Sequence, residues 1–195
     1  MAKHTVSEEL TVVIAFVGVV WCVFIVGLFL PFHLESFGIT PRTLSGLIGI
    51  PFAPFLHANL KHLISNTIPL LVLLLLLAGT KPQSWAIVIF IVVLGGALLW
   101  LFGRPATHIG ASGLIYGLIA YLLVSGIYER RIVPMIISLL VGFLYGGTLA
   151  SGILPSWGSQ ISWEGHLFGA IAGVAVAYWL TEVRDRTVAP ELPSY

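Results

Sequence analysis

Long apolar runs, separated by short polar segments that carry proline or glycine, set the pattern along this chain. A bilayer core about 30 Å thick needs roughly 20 apolar residues in helical form. Six segments approach that length: Thr11 to Leu30, Leu63 to Ala78, Trp85 to Phe102, Ser112 to Tyr128, Ile132 to Ala150 and Gly165 to Thr181. The breaks between them read as turns, among them "PFHLESFGITPR", "GTKPQS", "FGRPATHIG" and "SGILPSWGSQ". No soluble domain, internal repeat or low-complexity tract interrupts the series. The pattern predicts an all-α polytopic membrane protein built as a six-transmembrane-helix bundle. Residues 1–10 form a polar leading segment, 11–181 the six-span domain and 182–195 a solvated tail.

Composition supports that class. The 195 residues are 58% hydrophobic and 9% charged, with a mean hydropathy of +1.03, whereas soluble domains carry roughly 25% charged residues. The net charge of +1 offers no basic surface for nucleic acid. A single cysteine, Cys22, allows no intrachain disulfide. The apolar run after "MAKHTVSEEL" is long and lacks a small-residue cleavage site, which favours a retained span over a signal peptide. An even number of spans puts both termini on one side, with Lys3, Lys81, Arg130, Arg131, Arg184 and Arg186. The other side holds Arg42, Lys61 and Arg104. The positive-inside bias makes the richer side cytoplasmic, in a cell (inner) membrane.

Intramembrane polar groups are costly and mark functional sites by default. In this topology, spans two, four and six all start from the outer side. Their first turns hold His62 and Asn66, Ser112, and His166. A serine at a helix start is most simply an N-cap. In "GASG", however, Gly110 and Gly113 remove side chains on both sides of Ser112 and would let a substrate backbone approach. Gly113 and Gly117 form one small-residue face, and Gly165, Gly169 and Gly173 form another beside His166. If those faces meet, Ser112 and His166 come within hydrogen-bonding reach, the minimum for an activated hydroxyl. His62 and Asn66 share one helix face and could aim N–H groups at an oxyanion, together with the Ser112 backbone N–H. They could equally hold the helix end. His57, upstream, braces the loop. Tyr116, one turn after Ser112, can pack on the imidazole or simply fill the core.

Glu164, the acid nearest His166, is two residues away and points to a different helix face. That leaves a Ser–His dyad rather than a triad. With Arg104, also near the outer surface, Glu164 could form a pair that gates access. There is no HExxH, no intramembrane aspartate pair and no cysteine ligand pattern, so no metal is expected. The 17 residues from Ser112 to Tyr128 span about 26 Å as helix. Ser112 therefore lies just below the outer boundary, where the irregular "RPATHIGA" needs cover from protein or a wet cavity.

In this sequence "HANLKHLISN", "GASGLIYG" and "GHLFGAIAG" together resemble the rhomboid intramembrane serine proteases, in the family's order and over the whole six-span chain. The resemblance implies cleavage of peptide bonds in or beside substrate transmembrane helices. The family's GxSG serine falls on Ser112, its HxxGxxxG histidine on His166 and its following aromatic on Tyr116. Its HxxxxHxxxN element falls on His57, His62 and Asn66, with oxyanion roles implied for the last two. The resemblance also implies no cofactor, transmembrane-helix proteins as substrates, the lipid bilayer as surroundings and the minimal bacterial form. One departure stands out: the first loop, "TLSGLIGIPFAPF", lacks the Trp-Arg pair many members carry there. Two rival readings are a non-proteolytic rhomboid-like protein that binds transmembrane helices, and a small-solute or metal transporter using His57, His62, His108 and His166. The absence of carboxylates within the spans and of an inverted repeat weighs against the transporter.

Overall fold

The computed structural model describes residues 6–81, 84–155 and 161–188. Among them run seven α-helices: α1 (Val6–Gly27), α2 (Leu44–Phe52), α3 (Leu60–Ala78), α4 (Ser84–Phe102), α5 (Ser112–Glu129), α6 (Ile132–Gly152) and α7 (Trp163–Val188). Of these, α1, α3, α4, α5 and α6 are long and apolar enough to cross a membrane. The sixth long helix, α7, is diluted in hydropathy by Glu164, His166 and its glycines, yet it packs deep in the bundle against α4 and α5. The protein is a multi-pass helical membrane bundle.

Local chemistry explains where the helices depart from the apolar runs. α1 stops at Gly27, short of Leu30, because Pro31 disfavours helical backbone just before it. α3 starts at Leu60, three residues before the predicted span, because Asn59 caps it: its side-chain oxygen accepts from the His62 backbone N–H at 2.9 Å. That cap brings His62 into the first turn. At its far end α7 runs on past Thr181 to Val188, since no proline intervenes before position 190. Lys3 and the end of the tail, 189–195, lie outside the described residues.

The first loop carries the short apolar helix α2, which docks on α4. Trp100 Nε1 donates to the Thr43 carbonyl at 2.7 Å. Arg42, held in the left-handed region at φ 59°, donates to the carbonyls of Leu101 and Gly103. An arginine from the loop and a tryptophan from α4 thus anchor a loop whose own sequence lacks a Trp-Arg pair.

α5 is the central helix, packing on α3, α4, α6 and α7. Its closest neighbour is α7, and the two predicted glycine faces do meet. A Cβ on Gly169 would run into the Gly113 carbonyl oxygen, and one on Gly173 into the Gly117 carbonyl oxygen. Only hydrogen fits at those positions, so the backbones lie in direct contact along the seam. Gly169→Ala should therefore lower stability by about 1–3 kcal/mol, because the obstacle is helix backbone that cannot swing aside. Gly146→Ala on α6, where nothing lies within 4 Å of the added methyl, should leave the unfolding midpoint in detergent unchanged or slightly raised.

Candidate active site

Ser112 is the first residue of α5. The N-cap is Ala111, at φ −73° and ψ −5°, so the serine hydroxyl is not consumed as a cap. At the start of a helix its backbone N–H has no intrahelical acceptor and sits at the positive end of the macrodipole. The turn leading into it passes through Gly110, at φ 109°, a conformation that side-chain-bearing residues rarely adopt. The Gly110 N–H donates to the Ala53 carbonyl at 2.9 Å, tying this turn to the first loop.

The space beside Gly110 is taken by the protein itself. A Cβ there would lie 2.6 Å from Cε1 and 2.7 Å from Nε2 of His62, and 3.6 Å from Nδ2 of Asn66. Gly113 likewise faces the Gly165 carbonyl oxygen, 3.3 Å from where a Cβ would sit. A side chain at either glycine flanking Ser112 would crowd His62 or α7, and both glycines also line a small cavity beside Ser112. Two α3 side chains converge on the turn that precedes the serine.

Asn66 is held from behind. Its Nδ2 donates to His57 Nε2 at 3.1 Å, and both side chains are buried. The His57 and His62 rings meet edge to face at 4.9 Å. Burial, reinforced by the adjacent His62, pulls the His57 pKa down to about 4, and the Phe55 carbonyl offsets this only in part. His57 is therefore neutral near pH 7 and can accept from Asn66. It braces Asn66.

His166 lies in the first turns of α7, buried against Tyr116, with stacked rings 4.1 Å apart and 2° from parallel. Its Nδ1 donates to the Gly152 carbonyl at the end of α6, at 3.0 Å. That bond leaves Nε2 as the unprotonated, accepting nitrogen. The Tyr116 hydroxyl donates to the Thr148 carbonyl at 3.0 Å, so both rings hang from the same stretch of α6. Gly152 has no room for a side chain, since a Cβ would collide with the Tyr116 hydroxyl. No hydrogen bond joins Ser112 to His166 among the described residues; such bonds are often long until substrate is bound.

Glu164 makes no hydrogen bond to the imidazole among the described residues. Its Oε1 lies 3.4 Å from Arg104 Nε. Next to it, Ser162 Oγ is 2.6 Å from His108 Nδ1, and His108 Nε2 lies 3.2 Å from the Arg104 carbonyl. Burial lowers the His108 pKa, with the Arg104 carbonyl and the Glu164 charge acting in the opposite sense and the Arg104 guanidinium adding to the lowering. Neutral His108 thus donates from Nε2 and accepts the Ser162 hydroxyl proton at Nδ1. His108 and Ser162 also line a small cavity of about 50 Å³ beside Ser112. Among the described residues no group of three or more His, Cys, Asp or Glu is arranged to hold a metal.

Two elements of the site escaped sequence reasoning. The Gly152 acceptor is a backbone carbonyl, which carries no residue-type signal. Ser162, which accepts from the Gly165 N–H at 3.3 Å, was legible as the cap of α7 from its place three residues ahead of Gly165.

The His57 shift has a consequence for stability. Its folded pKa of about 4 lies below the ordinary 6.5, so its contribution is complete above pH 6.5 and drains away as the pH falls toward 4. Unfolding midpoints measured between pH 7 and 4 should fall more steeply in the wild type than in His57→Gln, which has no such proton to take up.

Comparison with known proteins relates this chain to a family. The model of the Rhomboid domain matches residues 44–183. An uncharacterised protein of Mycobacterium tuberculosis is 45% identical over 181 residues, covering 88% of this chain and 75% of that one. An uncharacterised protein of Mycobacterium leprae is 41% identical over 187 residues, covering 91% and 73%. A protein of Acanthamoeba polyphaga mimivirus that is named as a rhomboid is 33% identical over 138 residues, covering 68% and 74%. The matched span takes in α2 to α7 up to residue 183 and all the residues gathered around Ser112: the chain belongs to the rhomboid family.

Proposed function

We propose that this protein is an intramembrane serine endopeptidase that cuts peptide bonds in or next to transmembrane helices. The observation that carries the reading is the hydrogen bond from His166 Nδ1 to the Gly152 carbonyl. It sets the one tautomer in which Nε2 can take a proton, on a helix pressed by its glycines against the one that Ser112 begins.

In this reading Ser112 Oγ attacks the substrate carbonyl carbon as its proton passes to His166 Nε2. The carbonyl oxygen becomes an oxyanion that accepts from the Ser112 backbone N–H, His62 and Asn66. The tetrahedral adduct collapses, the C–N bond breaks, and the leaving amine takes the proton from His166. Water then attacks the acyl-Ser112 ester, gives a proton to His166, and is joined to the acyl group as the ester bond breaks. His166 returns the proton to Ser112. No cofactor takes part. The partners are single-span membrane proteins and the bilayer itself. The first turns of α3, α5 and α7 face the outer side of the cell membrane, with both termini cytoplasmic.

A fluorophosphonate probe tests this directly on detergent-purified protein. Wild type should label, while Ser112→Ala and His166→Ala should not. Asn66→Ala should label and cleave about 100- to 1000-fold more slowly, the usual cost of losing one oxyanion donor. Failure of folded wild type to label would point instead to a rhomboid-like protein that binds helices without cutting them.

A further inference from the structure

The glycine seam brings α5 and α7 backbone to backbone where Gly113 and Gly117 face Gly169 and Gly173. Near the Ser112 end the stacked rings of Tyr116 and His166 cross from one helix to the other. At that same end, polar contacts hold the start of α7 from the side of the loop that leads into Ser112.

Those contacts converge on the loop between α4 and α5. Arg104 Nη2 donates to the Ile161 carbonyl at 2.8 Å, and Arg104 Nε pairs with Glu164 Oε1 at 3.4 Å. One guanidinium thus spans the start of α7, from the carbonyl just before the helix to a carboxylate in its first turn. Four residues on, His108 bonds to Ser162, the residue that caps α7. The same loop segment pairs with the first loop through two backbone hydrogen bonds between His108 and Ile39, at 2.8 and 2.9 Å. It then runs through Gly110 into Ser112.

The burial of Glu164 makes this pair more than surface decoration. Its side chain is 6% exposed, against 35% for Arg104, and Glu164 Oε2 has no hydrogen bond among the described residues. Burying a carboxylate this deeply is costly unless a cation compensates it. The contact is also placed to matter, since Glu164 precedes His166 by two residues and Arg104 precedes Ser112 by eight.

We infer that Glu164, gripped by Arg104, is a positioning residue that sets the reach between His166 and Ser112. The inference rests on the reading of those two residues as base and nucleophile. Glu164 does not touch the imidazole; it acts by holding the helix end that carries it. Loosening that hold misplaces the proton acceptor, so the effect falls on the chemical step.

The test is the labelling kinetics of the full-length protein with a fluorophosphonate probe, resolved into maximal rate and half-saturating concentration. Glu164→Gln and Arg104→Gln should each lower the maximal rate on the order of 10- to 100-fold, the scale of a slightly misplaced catalytic group, without changing the half-saturating concentration. The double variant should be no slower than Arg104→Gln alone, because Arg104→Gln already removes the pair that Glu164→Gln removes. Unfolding midpoints recorded alongside confirm that each variant is folded at the assay temperature. Unchanged rates in folded variants, or losses that multiply in the double, would overturn the clamp while leaving the protease reading intact. Wild type that is folded and does not label overturns that reading and the clamp with it.

Discussion

The contact between α5 and α7 is the constraint on which the site depends. Two helices can approach closely enough to put backbone against backbone only where both lack side chains, and the glycines at 113, 117, 169 and 173 provide that strip. Within lipid there is no hydrophobic force between apolar helices, so close packing carries the association. The first turns of those same helices hold Ser112 and His166. α5 is also the most enclosed of the apolar spans, with α3, α4 and α6 packed around it. The position of every other functional group is measured from this seam.

Around it the protein orients polar side chains largely with neutral partners. His166 is directed by the Gly152 carbonyl, Tyr116 by the Thr148 carbonyl and Asn66 by the ring of His57. A carboxylate in place of the Gly152 carbonyl would be a buried charge in a bundle surrounded by lipid, and such charges are expensive. A helix-end carbonyl provides direction without that cost, because the last carbonyls of a helix lack intrahelical donors. The buried carboxylate that does occur near the site, Glu164, is matched to Arg104.

The first loop and the loop after α4 are tied down by their own hydrogen bonds. The first loop docks through Arg42 and Trp100, and its Ala53 carbonyl accepts the Gly110 N–H. The loop after α4 adds its bridge to Ile39 and its contacts with the start of α7. Irregular backbone at membrane depth is tolerated only where protein or water satisfies it, and these hydrogen bonds are how this chain meets that demand.

The sequence alone determined the class and much of the architecture, because hydropathy over a fixed bilayer thickness and glycine spacing along a helix are properties of local sequence. The six apolar runs, the glycine faces flanking Ser112 and His166, and the shared face of His62 and Asn66 were all legible in that way. The Asn59 cap and the extension of α7 shifted boundaries by only a few residues, as helix ends depend on single side-chain contacts. What only the tertiary structure decided is which groups meet across elements distant in sequence. No residue pattern announces that Gly152 lends its carbonyl to His166, that His62 lies against Gly110, or that Arg42 and Trp100 anchor the first loop. A hydrogen-bond acceptor on the backbone exists at every position, and only the folded arrangement selects which one is used.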